Sequence, residues 1–253
     1  VPFISDHYLV YLVIAAAATL GGLSRGFSGF GAAMVFMPIA SAVLTPVVAT
    51  PVLLLTDLIS SSLVLRGALA QFCWRDMKWI LAGALIGFPL GIEILTRSDP
   101  IAVRWMASII MLASLIFIAS GWRYRGPRSS HVMVSVGLTS GTMSGVAQIG
   151  NPPVIAYWLG TDMPSERMRP NMIVYFSILT AIGVAIFLAK GLMTLNILGL
   201  VCASLPGYLL GMSVGNRFFP LASPATFRKI AFALIVASII TGLPLLDQWL
   251  RHK

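Results

Sequence analysis

Few side chains in this sequence can do chemistry, and those that can stand where they are expensive. Arg25 lies in Ser24-Arg25-Gly26-Phe27-Ser28-Gly29-Phe30-Gly31, between two apolar runs, and Asp57 lies inside another, Leu53-Leu54-Leu55-Thr56-Asp57-Leu58-Ile59. An arginine at bilayer depth costs about 2.5–3.5 kcal/mol on insertion scales, so it needs a carboxylate, a ligand or water. Arg25 either snorkels to the nearby inner surface or presents a planar fork suited to a sulfonate, carboxylate or phosphate. Asp57 has three readings: a structural partner for Arg25, a protonatable coupling residue, or a solvated mouth position. Thr56, Ser60 and Ser61 could add hydroxyl donors, although such hydroxyls commonly bond their own backbone.

A second stretch, Gly145-Val146-Ala147-Gln148-Ile149-Gly150-Asn151-Pro152-Pro153-Val154, repeats the features of the first: closely spaced glycines, polar side chains and an interruption of apolar helix, here enforced by a proline pair. Non-helical backbone inside a membrane is tolerated only where protein buries it or where it lines a hydrated cavity. A short helix beginning after such a break points free amides and a positive dipole end at the cavity, which favours an anion. The predicted binding set is therefore Arg25, Ser28, Gly29, Gly31, Gln148, Gly150 and Asn151, with Asp57 for coupling. Gln148 and Asn151 either donate to a substrate oxygen or satisfy exposed carbonyls. Position 144, which corresponds to Arg25 in the second stretch, is serine, so the predicted site is asymmetric.

The elements that must position these residues are membrane helices. Of the 253 residues 58% are hydrophobic and 10% charged, and the mean hydropathy is +0.91, outside the range of a soluble domain. The net charge of +9 comes from Lys and Arg scattered singly through short loops, without a basic face, which argues against nucleic acid. Cys73 and Cys202 offer neither a disulfide framework nor a metal pair. His7, His131 and His252 lie near chain ends or in a loop, so no metal centre and no cofactor are expected. No nucleophile–base pair stands at depth, which leaves no catalytic residues to nominate and speaks against an enzyme. The opening Val-Pro-Phe lacks a basic leader, and the first apolar run reads as a mature span.

Apolar runs place a hairpin over 8–45 and spans over 51–65, 79–95 and 101–121. A second hairpin over 132–160 is followed by spans over 172–189, 197–215 and 230–250. Lys and Arg concentrate in four loops, around Arg66 to Lys78, Arg123 to Arg128, Arg167 to Arg169 and Arg217 to Lys229, which predicts those loops on the cytoplasmic side and both termini outside. A shift of 119 residues superposes Gly22 on Gly141, Gly26 on Gly145, Gly31 on Gly150 and Pro51 on Pro170. A shift of 120 brings Gly87 and Gly91 onto Gly207 and Gly211. The expected fold is an all-α polytopic membrane protein of two inverted repeats, residues 1–125 and 126–253, each a broken or re-entrant hairpin plus three transmembrane helices. Glycines four apart, such as Gly87 and Gly91, read as helix-packing faces. The denser hairpin glycines read instead as part of the breaks. Glu93 and Arg104 are expected to pair at outer helix ends, and Tyr157 and Trp158 to anchor at an interface.

The paired glycine-rich stretches, Gly22 to Pro38 and Gly137 to Pro153, resemble the TauE/SafE sulfite exporter family, also called the toluene sulfonate uptake permease family. The likeness covers essentially the whole chain. It departs from the commoner triple-glycine pattern at Ala32 and Ala33 after Gly31, and at Asn151, Pro152 and Pro153 after Gly150. The resemblance implies a secondary transporter in a bacterial inner membrane, working by alternating access on sulfite, sulfoacetate, taurine or another organosulfonate. Proton coupling through Asp57 is an added expectation. The partners are then a small anionic substrate and the lipid bilayer, with homo-oligomers left open. The rivals are an anion channel, which would use the same breaks as a filter, a carrier of non-sulfur carboxylates, and a structural membrane subunit.

Overall fold

The computed structural model describes residues 7–28, 31–161, 163, 165–218, 236 and 242. These form nine helices and no strand: α1 (His7–Ser28), α2 (Ala32–Val43), α3 (Pro46–Leu69), α4 (Trp74–Arg97), α5 (Pro100–Ser120), α6 (Ser130–Ala147), α7 (Asn151–Gly160), α8 (Ser165–Ala189) and α9 (Leu195–Phe218). Helices α1, α3, α4, α5, α8 and α9 are long and apolar enough to cross a membrane. The fold is thus a polytopic helical membrane protein. The expected last span, 230–250, lies outside the described residues apart from Val236 and Gly242.

Local chemistry sets the boundaries. α3 begins with Pro46 at its first position, after Leu44 and Thr45 in extended geometry. α5 begins with Pro100 behind Asp99, whose carboxylate accepts from the amides of Ile101 at 2.8 Å and Ala102 at 3.2 Å. Several observed helices outrun the predicted spans, because Pro51 is accommodated inside α3 and Pro170 inside α8.

The hairpins pair a long arm with a short one. α2 has 12 residues and α7 has 10, about 18 and 15 Å at 1.5 Å per residue, against a hydrocarbon core of about 30 Å. α6 is the least apolar long arm. Its Ser135, Thr139 and Thr142 hydroxyls donate to carbonyls four residues earlier, which hides their polarity within the helix.

Two helix pairs carry the most extensive packing, α4 with α6 and α1 with α9, and α3 crosses α8. Glycine makes the first two possible. A Cβ on Gly83, Gly87 or Gly91 would strike the backbone of α6, and one on Gly137, Gly141 or Gly145 would strike α4. Across the other pair, Gly22 and Gly26 meet the backbone of α9 at Tyr208 and Met212, while Gly211 meets α1 at Thr19. On sequence the hairpin glycines belong to the breaks; Gly22, Gly26, Gly141 and Gly145 are instead interior helix residues that let two backbones touch. Under the shift of about 119 residues, α1, α2, α3 and α4 map onto α6, α7, α8 and α9. The α1–α9 pairing then maps onto α6–α4, and both are present.

Outward faces are apolar, as contact with lipid requires. Leu12, Leu63, Ile86, Leu90, Ile109 and Leu210 are all exposed.

Candidate functional site

The two predicted breaks are real, and they differ. α1 ends at Ser28 and α2 starts after Gly31, which takes φ 96°, a left-handed conformation that glycine adopts without strain. The four amides at the start of α2, Gly31 to Met34, lie where no helical carbonyl can reach them. In the second break α6 ends at Ala147 and is followed by Gln148, whose φ of 61° is the only positive value at a non-glycine among the described residues. α7 then opens with Asn151, Pro152 and Pro153. Proline has no N–H, so of the four corresponding positions, Gly150 to Pro153, only Gly150 and Asn151 supply an amide. The amide end expected in both halves is therefore full in the first and halved in the second.

Side-chain donors take their place. The Nε2 of Gln148 and the Oγ of Ser144 are buried without a hydrogen-bond partner. Nearby, the Tyr175 hydroxyl donates to Ser140 Oγ at 2.9 Å, and Ser140 donates to the Gly150 carbonyl at 2.6 Å. A Cβ at Gly150 would collide with Ser140 and Ser144, so the close approach at this position requires glycine. Asn151 is half-buried at the start of α7. Gly29 and the side chain of Ser28 lie outside the described residues.

Arg25 sits in the last turn of α1 and Asp57 midway along α3. The pair is closed: Arg25 Nη1 lies 2.5 Å from Asp57 Oδ1, with the two side chains 20% and 22% exposed. Arg25 Nη2 donates to Ser61 Oγ at 2.8 Å, and Nη1 also donates to the Tyr208 hydroxyl at 3.2 Å. Tyr208, fully buried on α9, donates in turn to Asp57 Oδ1. Beneath them the hydroxyls of Thr56 and Ser204 meet at 3.1 Å. Arg25 does not snorkel to a surface; it ties α1, α3 and α9 together through a carboxylate. Of the three readings of Asp57, the partner of Arg25 is the one present in the geometry.

The structure brings the breaks together through apolar contacts. Met34, one turn into α2, shares a buried cluster with Ala147 and Ile149, which flank Gln148, and with Met111 of α5. Among the described residues, no hydrogen bond joins the Arg25–Asp57 group to Gln148 or Asn151. At the shift of 119 residues Ser144 takes the place of Arg25 and Phe176 that of Asp57. The ion pair of one half thus has no charged counterpart in the other.

Two other expectations change. Glu93 pairs with Arg97 and with Lys190 rather than with Arg104. Arg104 points inward, 7% exposed, and donates to the Gly242 carbonyl at 3.0 Å. Tyr157 and Trp158 are core residues, 2% and 0% exposed, because α7 packs inside the bundle rather than at its rim. Tyr208 and Tyr175 escaped notice in the sequence, although each is a hydroxyl-bearing ring within an apolar run. Cys73 and Cys202 are free thiols. Among the described residues no three His, Cys, Asp or Glu side chains gather as metal ligands would.

Comparison with known proteins agrees with this architecture. The family model described as sulfite exporter TauE/SafE matches residues 14–241. A Cupriavidus necator protein named as a probable sulfite/organosulfonate exporter TauE is 25% identical, the alignment covering 97% of this chain and 98% of that protein. No solved structure matches.

Proposed function

The chain belongs to the sulfite exporter TauE/SafE family, and from that premise we propose that it carries a small sulfur-containing anion, sulfite or an organosulfonate, across the inner membrane by alternating access. Arg25 is the charge that receives the anion, and Asp57 is its place-holder. The exchanged helix pairings, α1–α9 and α6–α4, support two inverted repeats, 1–125 and 126–253, moving about a shared centre.

The observation that carries the reading is the Arg25–Asp57 pair itself, an ion pair within the helical bundle with each side chain about one fifth exposed. An arriving sulfonate competes with Asp57 for the guanidinium, which binds either oxyanion as a fork. Asp57 displaced without a proton would leave an uncompensated carboxylate, a state that costs several kcal/mol at depth. Taking a proton removes that cost. The loaded centre then holds Arg25 with the anion and a neutral Asp57, and the empty centre holds the ion pair. One proton accompanies one anion, and neither state leaves a lone charge in the bundle. Gln148, Gly150, Asn151 and the α2 amides behind Gly31 supply further donors along the path, with Ser28 and Gly29 at the first break.

The test is exchange in proteoliposomes. Loaded with unlabelled sulfite, vesicles containing the protein should take up labelled sulfite saturably and faster than unloaded ones. Uptake that never saturates, or that carries steady current like a pore, would remove the carrier reading in favour of a channel.

A further inference from the structure

Tyr175 of α8 is wholly buried, its ring edge-on to Phe176. A phenylalanine would pack there without bringing a hydroxyl into the bundle, where an unbonded one costs free energy. The hydroxyl has a specific partner. It donates to Ser140 Oγ at 2.9 Å, and Ser140, equally buried, donates to the Gly150 carbonyl at 2.6 Å. The order of the protons is forced: a carbonyl only accepts, so Ser140 gives its one proton to Gly150 and must accept from Tyr175. Ser140 differs in this from its neighbours on α6. Ser135, Thr139 and Thr142 all donate to carbonyls four residues earlier in their own helix, whereas Ser140 reaches across to the second break.

The bonded carbonyl belongs to the peptide that joins Gly150 to Asn151, the entry to α7. That peptide is trans, and in a trans peptide the C=O and the N–H point in opposite directions. Holding the Gly150 carbonyl toward Ser140 therefore aims the Asn151 N–H away from α6. This N–H is one of the two amides that the proline pair leaves at the second break, and it has no acceptor among the described residues. Packing fixes the same peptide from the side, because Gly150 lies so close to Ser140 and Ser144 that a Cβ there would collide with both. We infer that Tyr175 is a positioning residue for the transported anion: acting through Ser140, it fixes the Gly150–Asn151 peptide and with it the direction of an amide that the anion uses. The inference rests on the anion-carrier reading above and adds to it the residues that orient the second break. The second hairpin has no charged counterpart of Arg25, and this chain lets it hold a donor in place with neutral groups. Without the tyrosine proton, Ser140 is free to turn back to the carbonyl of Val136 in its own helix, as its neighbours do, and the peptide loses its tether.

The purified full-length chain, labelled with 15N at its four asparagines, reports the Asn151 amide directly by magnetic resonance, its signal being the one lost in Asn151→Gln. Methanesulfonate is the probe. In wild type, saturating methanesulfonate should move the Asn151 amide proton downfield, the mark of a new acceptor. Tyr175→Phe keeps the ring and should weaken methanesulfonate binding about three- to tenfold, the worth of one hydrogen bond, while shrinking the Asn151 shift. Ser140→Ala should do the same. Because the tyrosine acts through the serine, adding Tyr175→Phe to Ser140→Ala should change affinity by less than about twofold. A Tyr175→Phe protein with a lowered melt but with wild-type affinity and a full Asn151 shift has lost stability alone, and overturns the inference. So does a double variant whose losses add. The wild-type signal needs no variant to fold, and an Asn151 amide that bound methanesulfonate leaves unmoved overturns the inference while sulfite exchange stands. Wild type that neither binds methanesulfonate nor exchanges sulfite overturns the carrier reading, and this inference with it.

Discussion

Tyr208 donates its hydroxyl to the same carboxylate oxygen of Asp57 that Arg25 holds, although the two residues are 151 positions apart in the chain. The tyrosine therefore holds the carboxylate from α9 while the arginine does so from α1. Loss of the guanidinium to a ligand leaves Asp57 with one neutral donor. The proposed coupling of anion to proton rests on that difference.

Asp57→Asn removes the internal competitor for Arg25. The variant should bind methanesulfonate more tightly than wild type and still exchange labelled sulfite, yet a pH gradient should no longer drive accumulation. Vesicle uptake with and without the gradient decides this. Gradient dependence equal to that of wild type would take Asp57 out of the coupling step.

Arg25→Gln should lower anion affinity at least tenfold at equal expression, and Arg25→Lys should fall between, because an ammonium is a point charge and not a fork. Thermal melts of Arg25→Gln, Asp57→Asn and the double variant give a second check. The pair is only about four-fifths buried, so the single variants should lose less than the 3–5 kcal/mol of a fully buried broken pair. The double variant should lose less than the sum of the two.

Much of this was legible beforehand. The second break could be read because Pro152 and Pro153 cannot continue a helix and because Gly150 stands just before them. The pairing of Arg25 with Asp57 was one of the readings open, since each charge needs a partner at depth. What could not be read is which face a residue presents. Tyr157 and Trp158 have the composition of an interfacial belt, and only the inward packing of α7 makes them core. Arg104 and Glu93 lie at neighbouring helix ends, yet one turns into the bundle and the other toward Lys190. Gly22, Gly26, Gly141 and Gly145 sit close to the breaks along the chain, and their role in touching α9 and α4 is visible only in three dimensions.

At Gln148 the left-handed backbone costs about 1–2 kcal/mol that glycine would not incur. Gln148→Gly should therefore raise the melting temperature while weakening anion binding, because the buried Nε2 donor goes with the side chain. Gln148→Ala keeps the backbone cost and loses the donor, so it should weaken binding without the gain in stability. Equal affinity in all three proteins would show that the amide has no ligand role.

The α4–α6 contact predicts a purely structural effect. Gly91 and Gly145 face one another, and a Cβ on either would meet the other's Cα at 2.8 and 2.7 Å. Gly145→Val should destabilise the protein by about 1–3 kcal/mol through overpacking. Gly67→Ala, where nothing lies within 4 Å, should not lower the melt and should raise it slightly, since alanine favours the helix of α3.

The central claim is that an anion takes Arg25 from Asp57 and that Asp57 then takes a proton. It is tested most directly by titrating the purified protein with methanesulfonate, the anion of a strong acid that binds no protons itself, in weakly buffered solution while pH is recorded. Wild type should take up protons in step with anion binding, approaching one per site, and Asp57→Asn should bind the anion with no proton uptake. Saturable binding to wild type with no proton uptake, at any pH where Asp57 begins ionised, would contradict the account.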